Sequence, residues 1–118
     1  MPKIAYLPIG VPVSQINGQT GTSYILALTD ANNYVEMSST SQNIVTIPAS
    51  GTTNFAVGTE INIVQTSTGT TQISAAGGVT LNYYSPTTSS SAILKGQWSA
   101  LTVVKRATDT WAAIGNII

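Results

Sequence analysis

Between Val57 and Leu81 polar and apolar positions alternate with a period of two. Over residues 59–65, Glu60, Asn62 and Val64 share one face while Ile61, Ile63 and Gln65 share the other, which predicts a strand with two different faces. After a turn at 66–70, where Gly69 is free to take a positive φ, residues 71–75 carry the β-branched Thr71 and Ile73. Gly77-Gly78 then reverses the chain into residues 79–81. The three strands are expected to form a β-meander around which the rest of the chain is organised.

Taken from the start, the chain opens on a stretch that is apolar without any period. In residues 1–13, Pro2, Pro8 and Pro12 forbid a helix interior and remove sheet donors, so an extended arm is expected. Ile4, Tyr6, Leu7, Ile9, Val11 and Val13 give this arm too much apolar surface to leave in water. They are candidate contacts with the chain's own domain or with another subunit. Asn17-Gly18 and Gly21 read as a hinge, dividing an arm (1–20) from a single β domain (21–118).

Within that domain, strands are expected at 24–28, 34–37, 44–47, 59–65, 71–75, 79–81, 92–94, 97–104 and 111–114. Turns fall at 30–33, 51–54 and 105–110, and the run of small hydroxyl residues at 87–91 predicts an exposed, mobile loop. About nine short strands at roughly ten-residue spacing read as an all-β sandwich or barrel, mainly antiparallel, with an extended N-terminal arm. Trp98, Leu101, Val103 and Trp111 are assigned to its core.

Composition narrows what such a domain does. The 118 residues suit one domain and include no cysteine, so no disulfide staples it. Charged residues make up 7% of the chain, against about 25% in average domains. Lys3, Lys95, Lys105 and Arg106 balance Asp30, Glu36, Glu60 and Asp109, a distribution without the basic cluster that nucleic acid or an anionic membrane requires. Polarity comes instead from Ser, Thr, Asn and Gln. A net charge of +0 gives little protection against self-association and favours a chain that works inside an assembly. No stretch approaches the roughly 18 apolar residues of a membrane span, and the proline-broken start makes a poor signal peptide. Synthesis and assembly in the cytoplasm are expected.

With neither histidine nor cysteine, a Ser-His-Asp arrangement, a thiol nucleophile and an ordinary zinc site are all absent. Asp30, Glu36, Glu60 and Asp109 are the remaining candidates for a glycosidase-type carboxylate pair, but they occupy turn and strand positions without any further catalytic signature. The expectation is a protein that is not an enzyme, with no catalytic, cofactor or metal site. Lys105-Arg106 reads as a solvated hairpin tip beside Asp109. Tyr83-Tyr84, beside the hydroxyl-rich loop, are candidates for stacking on a sugar ring or filling an interface.

The segments TSYILALTDANNYVEMSSTSQNIVTIP, FAVGTEINIVQTSTGTTQISAAGGVTLN and LKGQWSALTVVKRATDTWAAIG resemble a β-structured module of tailed-bacteriophage virion structural proteins. That module is often found at the ends of tail-fibre or tail-associated chains. The resemblance spans about residues 21–115, and VGTEINIVQ with TQISAAGGVTL, together with the last segment, carries it most specifically. It implies a virion component. Because residues 1–20 alone precede the module, leaving no room for a fibre shaft, the expected role is a head decoration (cement) protein. Such a protein would bind the major capsid protein and itself, as a homotrimer, through the arm residues named above. The alternative is a receptor-binding or structural tail-fibre or tail-tip module that recognises host glycan through Tyr83, Tyr84 and the 87–91 loop.

Overall fold

The computed structural model describes residues 5–6 and 12–118, and its strands follow the period-two pattern. They are β1 (Ala5–Tyr6), β2 (Pro12–Val13), β3 (Ile16–Gln19), β4 (Ser23–Ile25), β5 (Tyr34–Met37), β6 (Asn43–Ile47), β7 (Glu60–Gln65), β8 (Thr71–Ala75), β9 (Thr80–Tyr83), β10 (Ala92–Ile93), β11 (Ala100–Ala107) and β12 (Thr110–Gly115). One short 3-10 turn, Leu28–Asp30, separates β4 from β5. A six-stranded sheet in the order β3-β5-β7-β11-β12-β9 packs on a four-stranded sheet in the order β10-β8-β6-β4, giving two layers rather than a closed barrel.

From β3 to β9 the chain changes sheet at every connection. A strand that crosses to the other layer and comes back re-enters its own sheet in the original direction, so successive strands of one layer lie parallel. Thus β3, β5 and β7 are parallel neighbours, as are β4, β6 and β8. The expectation of a mainly antiparallel fold is corrected here. Antiparallel pairing within the two sheets is confined to β7–β11, the β11–β12 hairpin and β8–β10. Nor is 57–81 a meander, because β7 and β9 lie in the larger sheet and β8 in the smaller one. Its turn residues mark where the chain reverses, and the same signal serves a hairpin or a change of layer.

Two sheets facing each other bury one side of each strand. Val35 and Met37 of β5, Val45 and Ile47 of β6, Ile61 and Ile63 of β7, Ile73 of β8, and Leu101 and Val103 of β11 form the interior. Each such side chain contributes roughly 1.5–3 kcal/mol relative to exposure. Trp111 closes the layer, its ring edge-on to Phe55 at 87° with centroids 5.5 Å apart. Trp98 does not join it. That residue lies in a turn before β11 with φ 66° and is 70% exposed, so its assignment to the core is corrected.

Two glycines answer to different constraints. Gly78 holds φ at 86° in the turn before β9, a value that favours glycine. Gly69 does not use its freedom to take a positive φ. A Cβ there would overlap the backbone carbonyl oxygens of Ser39 and Ser41, because the 66–70 turn stacks directly on the 38–42 turn of the preceding coil. Its amide donates to Ser39 O at 3.0 Å. Beneath this contact Asn43 is fully buried, donating to Gly69 O and accepting from the Thr71 hydroxyl at 2.6 Å.

At the other extremity, residues 16–19, expected as arm and hinge, are the edge strand of the larger sheet. Ala5–Tyr6 pairs antiparallel with Pro12–Val13. Ile4, Leu7, Ile9 and Val11 lie outside the described residues.

Candidate functional site

Neighbouring residues on a strand point to opposite sides of the sheet, and this separates Tyr83 from Tyr84. Tyr83, half-buried at the end of β9, packs against the core and donates its hydroxyl to Ser89 O at 3.1 Å. Tyr84 is 80% exposed. The two line a cleft of about 590 Å³ with Asn82 and with Ala112, Ala113 and Ile114 of β12, where Ile114 is also exposed. Small residues on β12 leave room beside the tyrosine ring, and Asn82 supplies an amide at the same place.

The hydroxyl-rich loop next to this cleft is held by its own side chains. Ser85 Oγ donates to Ile118 O at 2.5 Å and accepts from the Ser89 amide at 2.9 Å, while Ser89 Oγ donates to Ser91 O. Loop and C-terminus thereby brace each other: Ile118 N bonds Ile93 O, and Leu94 forms a bridge with Ile117.

The four candidate carboxylates do not converge on one site. Asp30 is buried, accepting from Tyr24 Oη at 2.5 Å, Ala27 N at 2.8 Å and Asn17 Nδ2 at 3.0 Å. Burial, followed by the hydrogen bond to and charge of Asp30, pushes the Tyr24 phenol well above its ordinary pKa. A polar hollow of about 310 Å³ lies over this network, lined by Gln15, Ile16, Asn17, Thr29, Asp30 and Asn33. Its amides are already engaged: Asn33 accepts from Gln15 N and donates to Thr29 O, and Asn17 accepts from Gln19 Nε2. The hollow reads as a structural lock between β3, β4 and the 3-10 turn. Asp109, at φ 50° in the β11–β12 turn, accepts from Ser50 N at 2.7 Å, and this bond holds its carboxyl below the ordinary carboxylate range. Glu36 is half-buried on β5 and Glu60 is exposed at the start of β7.

Lys105 corrects another expectation. It is 3% exposed rather than solvated, because the β11 alternation that turns Leu101 and Val103 inward turns Lys105 inward as well. Its ammonium donates to Phe55 O and Asn54 Oδ1 under the 51–58 loop. Arg106 alone remains at the exposed tip.

Sheet register also creates a surface that strand-by-strand reading missed. Ile16, Tyr34, Asn62, Thr102 and Ile114 stand opposite one another across five strands on the outer side of the larger sheet. Thr102 Oγ1 donates to Asn62 Oδ1 at 2.6 Å in the middle of this row, and its ends, Ile16 and Ile114, are 66% and 67% exposed. Of the proposed arm contacts, Val13 is half-buried on β2, and Tyr6 stands on β1 opposite Pro12.

Searches of protein-family models, curated proteins and solved structures find no match to the chain.

Proposed function

We propose that the chain is a non-enzymatic virion structural protein, acting as a head decoration protein that binds the major capsid protein and reinforces the lattice. The observation that carries this reading is the row Ile16, Tyr34, Asn62, Thr102 and Ile114, a stripe without charge on a rigid sheet, on a chain whose residues 21–115 resemble phage virion modules. The row itself carries no charge, with Glu36 and Glu60 flanking it on the same face, and such an uncharged stripe suits burial against another protein. A clamp bridging neighbouring capsomers adds binding free energy only to the assembled lattice, so it opposes expansion or internal pressure by linkage. Apolar contact contributes roughly 25 cal/mol per Å² before the costs of association, and many identical clamps act together. The N-terminal arm, with Ile4, Tyr6, Leu7, Ile9, Val11 and Val13, is part of the attachment. Self-association, for which the resemblance implies a homotrimer, belongs to the same reading.

The test is to locate the protein in the particle that contains it, by cryo-EM or immunogold labelling. Density over capsomer junctions supports decoration; labelling confined to the tail ends that reading. A second reading, a tail-tip module recognising host glycan, is favoured by one feature, the exposed Tyr84 over its cleft beside Asn82. A sugar ring stacks on such an aromatic face while an amide bonds its hydroxyls. Retained binding to host surface glycan after Tyr84→Ala would remove it.

A further inference from the structure

The two ends of the sandwich are finished differently. At one end the C-terminal residues cover β10, through Ile118 N on Ile93 O and Lys95 N on Asn116 O, and among the described residues β9 alone ends its sheet with an open edge. At the other, β3 and β4 are the terminal strands of their sheets, and nothing among the described residues pairs with their outer edges. Residues 15, 17 and 19 direct their backbone groups toward β5, as the bonds Tyr34 N to Gln15 O and Ser38 N to Gln19 O require. Ile16 and Gly18 therefore direct theirs outward. On β4 the bonds Ile44 N to Thr22 O and Leu26 N to Thr46 O leave Ser23 and Ile25 outward in the same way.

Open edges of this kind are ordinarily defended by lysine, proline, inward charge or a bulge. INGQ and SYI carry none of these. Ile16 and Ile25, on the outer faces of the two strands, are 66% and 59% exposed, and Leu28, just after β4, is 57% exposed.

We infer that this end is a self-pairing surface, at which β3 and β4 of one copy each pair antiparallel with the same strand of a second copy. The inference goes beyond the proposed function and gives the free chain a twofold rather than a threefold partner. Self-pairing centred on Asn17 matches Ile16 with Gly18 of the second copy and Gly18 with its Ile16, the hydrogen-bonding partners that outward groups need. Centring β4 on Tyr24 does the same for Ser23 and Ile25. Both centres must share one axis, and the fold supplies that condition: Asn17 Nδ2 donates to Tyr24 Oη at 2.8 Å, so the two residues face each other across the layers. A single twofold axis perpendicular to the sheets, passing beside this contact, extends both ladders at once. With a net charge of +0, no long-range repulsion opposes the approach. A heterologous partner would need two edge strands at the same spacing, which a second copy has by construction.

The experiment measures the mass of the full chain by sedimentation across micromolar concentrations, together with amide hydrogen exchange. A dimer is expected, with concentration-dependent protection of the Ile16, Gly18, Ser23 and Ile25 amides. Ile16→Lys with Ile25→Lys places like charges close across the axis and should weaken the dimer roughly 10-fold or more. Gly18→Pro is the second variant. It removes an outward N–H and no ladder bond to β5, so the monomer keeps its fold by circular dichroism while pairing is lost. A monomer throughout, a trimer, a dimer that both variants leave intact, or protection of these amides independent of concentration each overturns the proposal. The last outcome would assign the edges to the chain's own N-terminal residues. None of these readings depends on a virion, so the proposal and the virion role fail separately, although a dimer of the free chain excludes the homotrimer that the resemblance implies.

Discussion

The Lys105 ammonium donates to the Phe55 carbonyl oxygen at 2.6 Å, placing a cation inside the sandwich under the loop that leads into β7. A backbone carbonyl and the Asn54 side chain accept from it, and among the described residues no carboxylate is hydrogen-bonded to it. The lysine thereby pins the 51–58 loop over the end of β11, where Gly58 N also bonds Lys105 O.

Replacing Lys105 by Met keeps the stem and deletes the donor, leaving Phe55 O and Asn54 Oδ1 without their partner. A loss of about 1–3 kcal/mol is expected from urea unfolding, the usual cost of a buried acceptor left unmade. Arg106→Met, one residue on and exposed, should stay within about 0.5 kcal/mol of the parent. Equal midpoints for the two variants would show that the buried bond contributes nothing.

Gly69→Ala forces a methyl into the carbonyl oxygens of Ser39 and Ser41, and these are backbone atoms that cannot rotate away. The stacked turns must separate, which takes the buried Asn43–Thr71 pair with them. About 2 kcal/mol or more of destabilisation is expected, toward the upper part of the range for single substitutions. Gly77→Ala is the matched control, since a Cβ there meets nothing within 4 Å. A thermal melt that ranks the two equally contradicts the stacking account.

Residue by residue, the sequence made the strands legible but not their partners. The alternation Glu60, Ile61, Asn62, Ile63 declares which side is buried, because burial acts on each position locally, and the structure keeps that division. Whether β7 pairs with β8 is settled by where the whole chain goes after Gln65, and Ser/Thr/Gly turns are alike for a hairpin and a change of layer. Lys105 departs from expectation for the opposite reason. Its charge suggested solvent, while its parity with Leu101 and Val103 put it inside, and the parity prevailed because Phe55 and Asn54 offered acceptors. The Ile16 to Ile114 row lies across five strands and exists only once the register is known. Tyr83 and Tyr84 were legible as a pair, but only strand parity distinguishes which of them faces outward.

Tyr24 predicts a pH response at the alkaline side. Its phenol is raised above the ordinary 10.0, first by burial and then by Asp30, so the folded state holds the proton more tightly than the unfolded chain. Stability from this group is complete below pH 10.0 and is lost as pH rises from there toward the higher folded value. Urea midpoints measured between about pH 9 and about pH 11 should fall more steeply for the parent than for Tyr24→Phe. Parallel slopes would show that the phenol is not linked to folding.

Asp109 acts at the acid side with the reverse sign. The Ser50 amide holds its carboxyl below the ordinary 3.8, so its contribution is present above that value and is lost as pH falls through the folded pKa. Asp109→Asn keeps an acceptor for Ser50 N and tolerates φ 50°, but cannot titrate. Below about pH 4 the variant should lose stability less steeply than the parent. An unchanged acid slope would mean that the carboxylate's bond to Ser50 does not matter to folding.

Deleting residues 1–13 tests the arm. Because β3 begins at Ile16 and its ladder to β5 uses nothing before Gln15, the truncated domain should keep its β circular dichroism spectrum and a cooperative melt. If the proposed decoration role holds, binding to capsids stripped of the protein should fall sharply, since the apolar residues 4–13 are the ones that composition cannot leave in water. The triple change of Tyr6, Leu7 and Ile9 to Ser is the gentler form, expected to lose a few kcal/mol of attachment at roughly 1.5–3 per large apolar side chain buried at the contact. Co-sedimentation with stripped particles and a melt of the free domain are read together. If the truncated chain unfolds, the arm is structural and its anchoring role falls; if it stays folded and decorates particles at parental occupancy, the sheet faces alone make the attachment.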